Sequence, residues 1–219
     1  MDTRSSYHQS LDELQLELLA MGRLVEEQIR QSVESLKTID DKMAREIVEV
    51  DDTIDEMLKK IEERSLKLIA LQQPLASDLR IIGMAMKIAV DLERIADHAV
   101  DIAKVTLRMS GDSLVKPLVD IPYMAELAIE MLRECIRSYT ERDIQRAAAL
   151  ADKDDQVDSL YSKVLTELTG MMGSDLRVNR QLTHLMLVSH YIERVADHTT
   201  NIGEGVIYMV TGKRKDLNI

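Results

Sequence analysis

The chain repeats itself, and the repeat carries charge. Asp91-Leu92-Glu93-Arg94-Ile95-Ala96-Asp97-His98-Ala99-Val100-Asp101 returns as Tyr191-Ile192-Glu193-Arg194-Val195-Ala196-Asp197-His198-Thr199-Thr200-Asn201. Both stretches sit in helical apolar spacing, where steps of four bring side chains onto one face. Glu93, Asp97 and Asp101 then form one acidic ladder, and Glu193, Asp197 and Asn201 form a second. Partly buried, about 6 Å apart and at an effective dielectric near 20, a like-charged pair repels by about 3 kcal/mol. A chain that builds this twice either leaves both faces wet or sets a cation on them.

The duplication is wider than the ladders. Ser35, Asp40, Ala44, Asp51 and Asp55 recur 103 residues later as Ser138, Asp143, Ala147, Asp154 and Asp158, whereas Glu93 and Asp97 recur 100 residues later. The second copy is therefore shorter by three residues between its middle and last helices, and it has no counterpart to Pro74. Only eight Gly and three Pro interrupt 219 residues, so the chain must be built from long helices with few turns. The apolar spacing predicts helices over about Tyr7–Lys37, from Asp40 or Asp41 to Pro74, and over Ser77–Met109. After a break at Gly111, Pro117 and Pro122 it predicts Glu126–Glu141, Asp143–Met172 and Arg177–Val210. The fold class expected is all-α, two tandem three-helix bundles of six long helices with no strand, divided into units 1–112 and 113–219. With no Phe or Trp and six Tyr, the core must come from aliphatic residues and the 13 Met.

The duplication exposes a second acidic element. Asp51 and Asp55, and their copies Asp154 and Asp158, are again carboxylates four apart, on the middle helices. In antiparallel neighbours these can face the ladders, giving about five oxygen ligands per repeat, and oxygen-only sets suit hard cations such as Mg²⁺, Mn²⁺ or Ca²⁺, with iron also admissible. A single acidic pair on a helix is usually only a solvated face. Four pairs at matching places make the metal reading the stronger one. His98 and His198 turn about 100° off the ladders and are expected to hydrogen-bond nearby rather than to ligate. His184 and His190 read as structural, and Cys135 as a buried, inert thiol. The matching runs Ser77-Asp78-Leu79-Arg80 and Ser174-Asp175-Leu176-Arg177 read as helix starts, with Asp suited to the positive end of the dipole.

Several function classes fall away. The net charge is −11, and no basic cluster is large enough to hold nucleic-acid phosphates; Lys213-Arg214-Lys215 reads as a solvated C-terminus. One Cys forms no internal disulfide, which fits a reducing compartment. The start Met1-Asp2-Thr3-Arg4 lacks the apolar segment of a secretory signal, and no apolar run approaches a membrane span of about 20 residues. The expected location is the cytoplasm, with no direct membrane insertion. No glycine-rich phosphate loop, Gly-x-Ser-x-Gly or Cys-x-x-Cys occurs, nor the Glu-x-x-His pairs of ferritin-like di-iron proteins. Metal-bearing carboxylates also serve two-metal phosphoryl hydrolysis, but such sites need a pocket with a base and anion-stabilising groups. Only Arg94 and Arg194 stand near the ladders at matching spacing. The expectation is no catalysis.

The first ladder, its copy Glu193 to Ile202, and the run Leu71-Gln72-Gln73-Pro74-Leu75-Ala76-Ser77-Asp78-Leu79-Arg80 resemble the PhoU family, phosphate-signalling accessory proteins of bacteria and archaea. The resemblance extends over essentially the whole chain, to the ending Tyr208-Met209-Val210-Thr211-Gly212. It implies two three-helix bundles, a cytosolic and often dimeric protein, and metal at the paired Glu/Asp-x-x-x-Asp motifs. In some members that metal is a multinuclear iron cluster; among Fe, Mn, Mg, Zn and Ca the sequence does not choose. The ligands carried over are Asp51, Asp55, Glu93, Asp97 and Asp101, then Asp154, Asp158, Glu193, Asp197 and Asn201, whose neutral amide implies a weaker second site. Ala96 and Ala196 stand where the family usually has Gly. The implied function is negative regulation of phosphate uptake and of the phosphate-starvation response. The implied partners are the ATPase subunit of the phosphate ABC transporter and a phosphate-sensing histidine kinase. The alternative reading is a metal-buffering or scaffold protein with no link to phosphate.

Overall fold

The computed structural model describes residues 3–49, 51–72 and 74–217, with the side chains of residues 3–6, 8, 51 and 72 outside the description. The order is α1 (Thr3–Thr38), α2 (Asp41–Glu49), α3 (Asp51–Gln72), α4 (Ala76–Arg108), α5 (Asp120–Glu141), α6 (Ile144–Ala148), α7 (Leu150–Gly170) and α8 (Leu176–Thr211). Six of these are long helices; α2 and α6 are short segments that lead into α3 and α7. No strand occurs among the described residues. None of the described helices is long and apolar enough to cross a membrane.

Identical local chemistry ends the first helix of each repeat. Ile39 (φ 50°) and Arg142 (φ 55°) hold left-handed backbone at positions 103 residues apart. The next N–H bonds back five residues in both, Asp40 to the Ser35 carbonyl and Asp143 to the Ser138 carbonyl, each at 2.9 Å. This is the Schellman arrangement of a helix end, made here without glycine. The same aspartates then cap the following helix: Asp40 Oδ1 accepts from the N–H groups of Lys42 and Met43, and Asp143 Oδ1 from those of Gln145 and Arg146. Ser35, Asp40 and Ala44 thus recur because one stop-and-restart signal is used twice.

Other boundaries differ modestly from the sequence reading. α5 begins at Asp120, so Pro122 lies inside its first turn rather than in the break, where its missing N–H costs nothing. α8 starts behind Asp175, which accepts from the Arg177 and Val178 N–H groups. The corresponding start at α4 has Leu75 as its cap, with no side-chain bond. Ser77 and Asp78 lie within the first turn there, so the two Ser-Asp-Leu-Arg runs are not in the same helical register.

The stripe Leu14, Leu18, Met21, Val25 and Ile29 is fully buried and seats α1 on α4. Within each bundle α4 packs on α1 and α3, and α8 packs on α5 and α7; across the bundles α4 packs on α8 and α1 on α5. One cluster of buried apolar side chains runs through both bundles, so the repeats share a core. α4 and α8 run antiparallel: Arg80 Nε donates to the Met209 carbonyl (3.0 Å) near one end. Nearer the middle, Asp91 meets His198 (3.0 Å). An approximate two-fold axis therefore passes between the ladder segments.

Candidate metal centre

The second repeat assembles its acidic residues. Asp154 lies on the buried face of α7, only 5% exposed, because the Val157–Val164–Leu168 stripe turns that face toward α8. Asp158 stands one turn further on, and Glu193 and Asp197 face them from α8. Burial comes first in pushing the Asp154 carboxyl up to about 7, and the charges of Asp158, Asp197, Asp155 and Glu193 add to it. Asp158 is raised by burial and by Asp197 and Asp155, and Glu193 by burial and Asp197, partly offset by His190. These mutual effects show four predicted ligands sharing one place. Asp154 Oδ1 is buried without a hydrogen-bond partner.

The counter-charges are few. Arg194 Nη1 donates to Asp197 Oδ2 at 2.8 Å, and His190 Nδ1 lies 3.2 Å from Glu193 Oε2, a role for His190 that the sequence did not suggest. Arg194 is one step off the ladder, but three residues back along a helix it reaches Asp197. Asn201 lies one turn beyond Asp197 on α8, and its backbone carbonyl accepts from Lys87 Nζ at 3.4 Å.

The first repeat carries more basic contacts. Glu93, Asp97 and Asp101 line α4, half-buried. Arg94 spans the first two, with Nε 3.4 Å from Glu93 and Nη1 3.1 Å from Asp97. Lys104 lies 3.6 Å from Asp101. Asp55 is half-buried on α3, and the Asp51 side chain lies outside the described residues. No three of the described His, Cys, Asp and Glu side chains stand at metal-ligand spacing. The structure brings the acidic groups to one locality rather than to one point.

The donor chemistry nonetheless fits a hard cation. A buried carboxylate oxygen without a partner, Asp154 Oδ1, in a group whose counter-charges are Arg194 and His190, costs several kcal/mol unless protonated or paired. Asp154, Asp158, Glu193 and Asp197 are the residues that would hold an ion in the second repeat. The equivalent positions in the first are Asp51, whose side chain lies outside the described residues, Asp55, Glu93 and Asp97, with Asp101 as the counterpart of Asn201.

The ladder histidines do something else. The 100° step turns them inward, to the seam between the repeats. His198 Nδ1 pairs with Asp91 Oδ1 (3.0 Å), both nearly buried. His98 stacks on Tyr191 (ring centroids 5.8 Å) and lies 5.8 Å from His198. Since Tyr191 is the counterpart of Asp91, the same place in the two-fold holds a hydrogen bond once and a stack once. Burial, with help from His198, pushes His98 down to about 4. The sequence reading passed over Asp91, and the signal was there: it is the one acidic position in the stretch whose counterpart is aromatic. Cys135 is buried as expected, its Sγ donating to the Leu132 carbonyl, and burial pushes its thiol up.

Comparison with known proteins gives a consistent picture. The PhoU domain family model matches twice, at residues 18–106 and 121–206. A phosphate-specific transport system accessory protein PhoU homolog of Clostridium acetobutylicum is 42% identical over 217 residues, covering 99% of both chains. One of Rhizobium meliloti is 34% identical over 209 residues, covering 95% of this chain and 88% of the relative. The crystal structure of PhoU from Pseudomonas aeruginosa superposes with a TM-score of 0.88 at 33% identity, covering 94% of this chain and all of that one. The phosphate transport system regulatory protein PhoU from Streptococcus pneumoniae gives 0.89 at 31%, covering 96% of this chain and all of that one.

Proposed function

The chain belongs to the PhoU family, and on that premise we propose that it is a metal-binding adaptor that restrains phosphate uptake and phosphate-starvation signalling. The observation that carries the phosphate role is the full-length match to relatives named as accessory proteins of phosphate transport. Those names describe accessory proteins rather than enzymes, and the carboxylates here lie along helix flanks, with arginines already engaged by Asp97 and Asp197. Metal binding is supported by the buried, unpartnered Asp154 Oδ1. The ion is divalent or ferric, held by carboxylate oxygen, and it would offset the repulsion of the ladders and stiffen the α7–α8 face.

In this reading the adaptor contacts the ATPase subunit of the phosphate ABC transporter and a phosphate-sensing histidine kinase, acts in the cytoplasm and works as a homodimer. Helical faces are ready docking surfaces for other proteins. Deleting the gene and measuring phosphate uptake and a phosphate-starvation reporter in phosphate-rich medium tests it. The expected outcome is a reporter that stays on, or uptake that is no longer restrained. Normal uptake and a silent reporter in the deletion strain would leave only a scaffold or metal-buffering role.

A further inference from the structure

Away from the carboxylates, a cleft of about 530 Å³ opens between the start of α4 and the end of α8. Its size is that of a ligand site. Arg80 and Lys87 come from α4, and Arg214 and Lys215 come from the segment after α8. That segment does not simply trail into solvent. The Leu217 N–H donates to Glu204 Oε1 at 2.8 Å, and the Leu217 side chain packs on the core, so the basic run is folded back over the cleft. Leu79 and Tyr208, both substantially exposed, give it apolar walls. Two glycines shape it, Gly205 by making room for Met84 and Gly83 by leaving space. A Cβ on Gly205 would lie 2.4 Å from Met84 Sδ, and Gly83 faces empty space. Against the four cations stand Glu204, already engaged, and Asp216. This is a local cationic excess on a chain of net charge −11.

The duplication indicates what fits there. One hundred residues on, Arg80 corresponds to Arg180, Gly83 to Thr183, and Gly205 looks back to Val105. At that other end of the α4–α8 pair the equivalent place is filled by a segment of the chain itself, the connection between the repeats, which carries an aspartate and two apolar residues into it. Asp112 takes both Arg177 and Arg180, each at 3.3 Å. Beyond it, Gln181 Nε2 donates to the Ser113 carbonyl at 3.0 Å, and Leu114 and Val115 pack on the core. At the cleft the stretch after α8 has Gly212 in the place of Asp112, and Arg214 and Lys215 in those of Leu114 and Val115, and Arg80 donates to the Met209 carbonyl.

We propose that this cleft docks an extended acidic segment of a partner protein, with a carboxylate toward Arg80 and Lys87 and an apolar side chain against Leu79 and Tyr208. The inference deepens the adaptor reading, on which it rests, by naming the surface and the chemistry of the partner. Complementary charge of this kind sets partner choice and encounter rate.

The test places a photoreactive benzoylphenylalanine at Leu79 in the full-length protein, in cells, and sequences the cross-linked peptide. The expected product is one acidic, aliphatic-containing segment of another protein. Its yield should fall about tenfold, the effect of about 1.4 kcal/mol, in the double variant Lys87→Glu/Lys215→Glu, whose melting temperature should be that of the parent. Absence of a cross-link, a cross-link to a second copy of this chain, or an acidic-segment cross-link untouched by the charge reversal would overturn the proposal. Calorimetric titration with ATP and with inorganic phosphate is the second arm; micromolar binding of either, lost in the double variant, would replace the protein segment by a small anion. The deletion-strain reporter is read separately. An unaltered deletion strain defeats the adaptor reading, whereas an altered one with a failed cross-link defeats only the cleft.

Discussion

Metal-stripped Asp154→Asn protein will be more stable than stripped parent protein at pH 8, and the advantage will vanish near pH 4. The Asp154 carboxyl rises from its ordinary 3.8 to about 7 in the folded chain, first by burial and then by four neighbouring carboxylates. Between those values the folded state holds a proton that the unfolded state has released. Linkage then requires that stability fall as pH rises through this window. The full gap corresponds to about 4 kcal/mol, and relaxation around the charge reduces the expected difference to about half that. The parent profile alone would hide it. His98, pushed down from 6.5 to about 4, binds its proton less tightly when folded, so it makes stability rise over nearly the same range. Subtracting the two profiles, by urea unfolding at each pH, isolates Asp154. A difference independent of pH would mean that Asp154 is already ionised and satisfied in the stripped protein.

Leu92→Ala will destabilise the protein by about 2–5 kcal/mol, and it will move a single unfolding transition rather than split it. Leu92 has no exposed surface and lies on α4, the helix that packs both within its own bundle and on α8. The cluster it belongs to continues through α5, α7 and α8. A loss of about 3 kcal/mol in a chain of this size lowers the melting temperature by about 6–12 °C. Calorimetry distinguishes the outcomes: if the two repeats were independent folding units, the variant would show one shifted and one unshifted transition.

The duplication was the most legible part of the fold, because helix-stop chemistry is local. Ser35, Asp40 and Ala44 with their copies mark a helix end and the cap that follows, and both copies make the same bonds. Apolar spacing likewise placed α1 and α4 closely, since burial of one face is what creates the spacing. What lay in long-range packing was not legible. The direction of His98 and His198 could be worked out as off the ladder, but not that it led to the seam between repeats, because the pairing of α4 with α8 is not written in either helix alone. The two ladders look alike in sequence and are covered alike at Glu93 and Glu193, yet Asp97 is more exposed than Asp197, a difference that the helix spacing does not carry. The basic run at 213–215 read as solvated; its side chains are exposed, but Leu217 and Glu204 fix where they are presented.

The most direct test of the claim that the duplicated carboxylates hold cations is a titration of the stripped parent, Asp154→Asn and Asp97→Ala proteins with Mn²⁺ at pH 7.5, followed by melting temperature and elemental analysis. The account predicts that the parent binds metal and gains stability as RT ln(1 + [L]/Kd), about 2.7 kcal/mol at a hundredfold excess over Kd. Asp154→Asn should retain the first-repeat metal and lose the second, and Asp97→Ala the reverse, so Asp154→Asn, the more stable when stripped, loses part of its advantage when metal is added. A parent protein that carries no metal after millimolar Mn²⁺, Mg²⁺ and ferric iron, and whose melting temperature does not move, would contradict it.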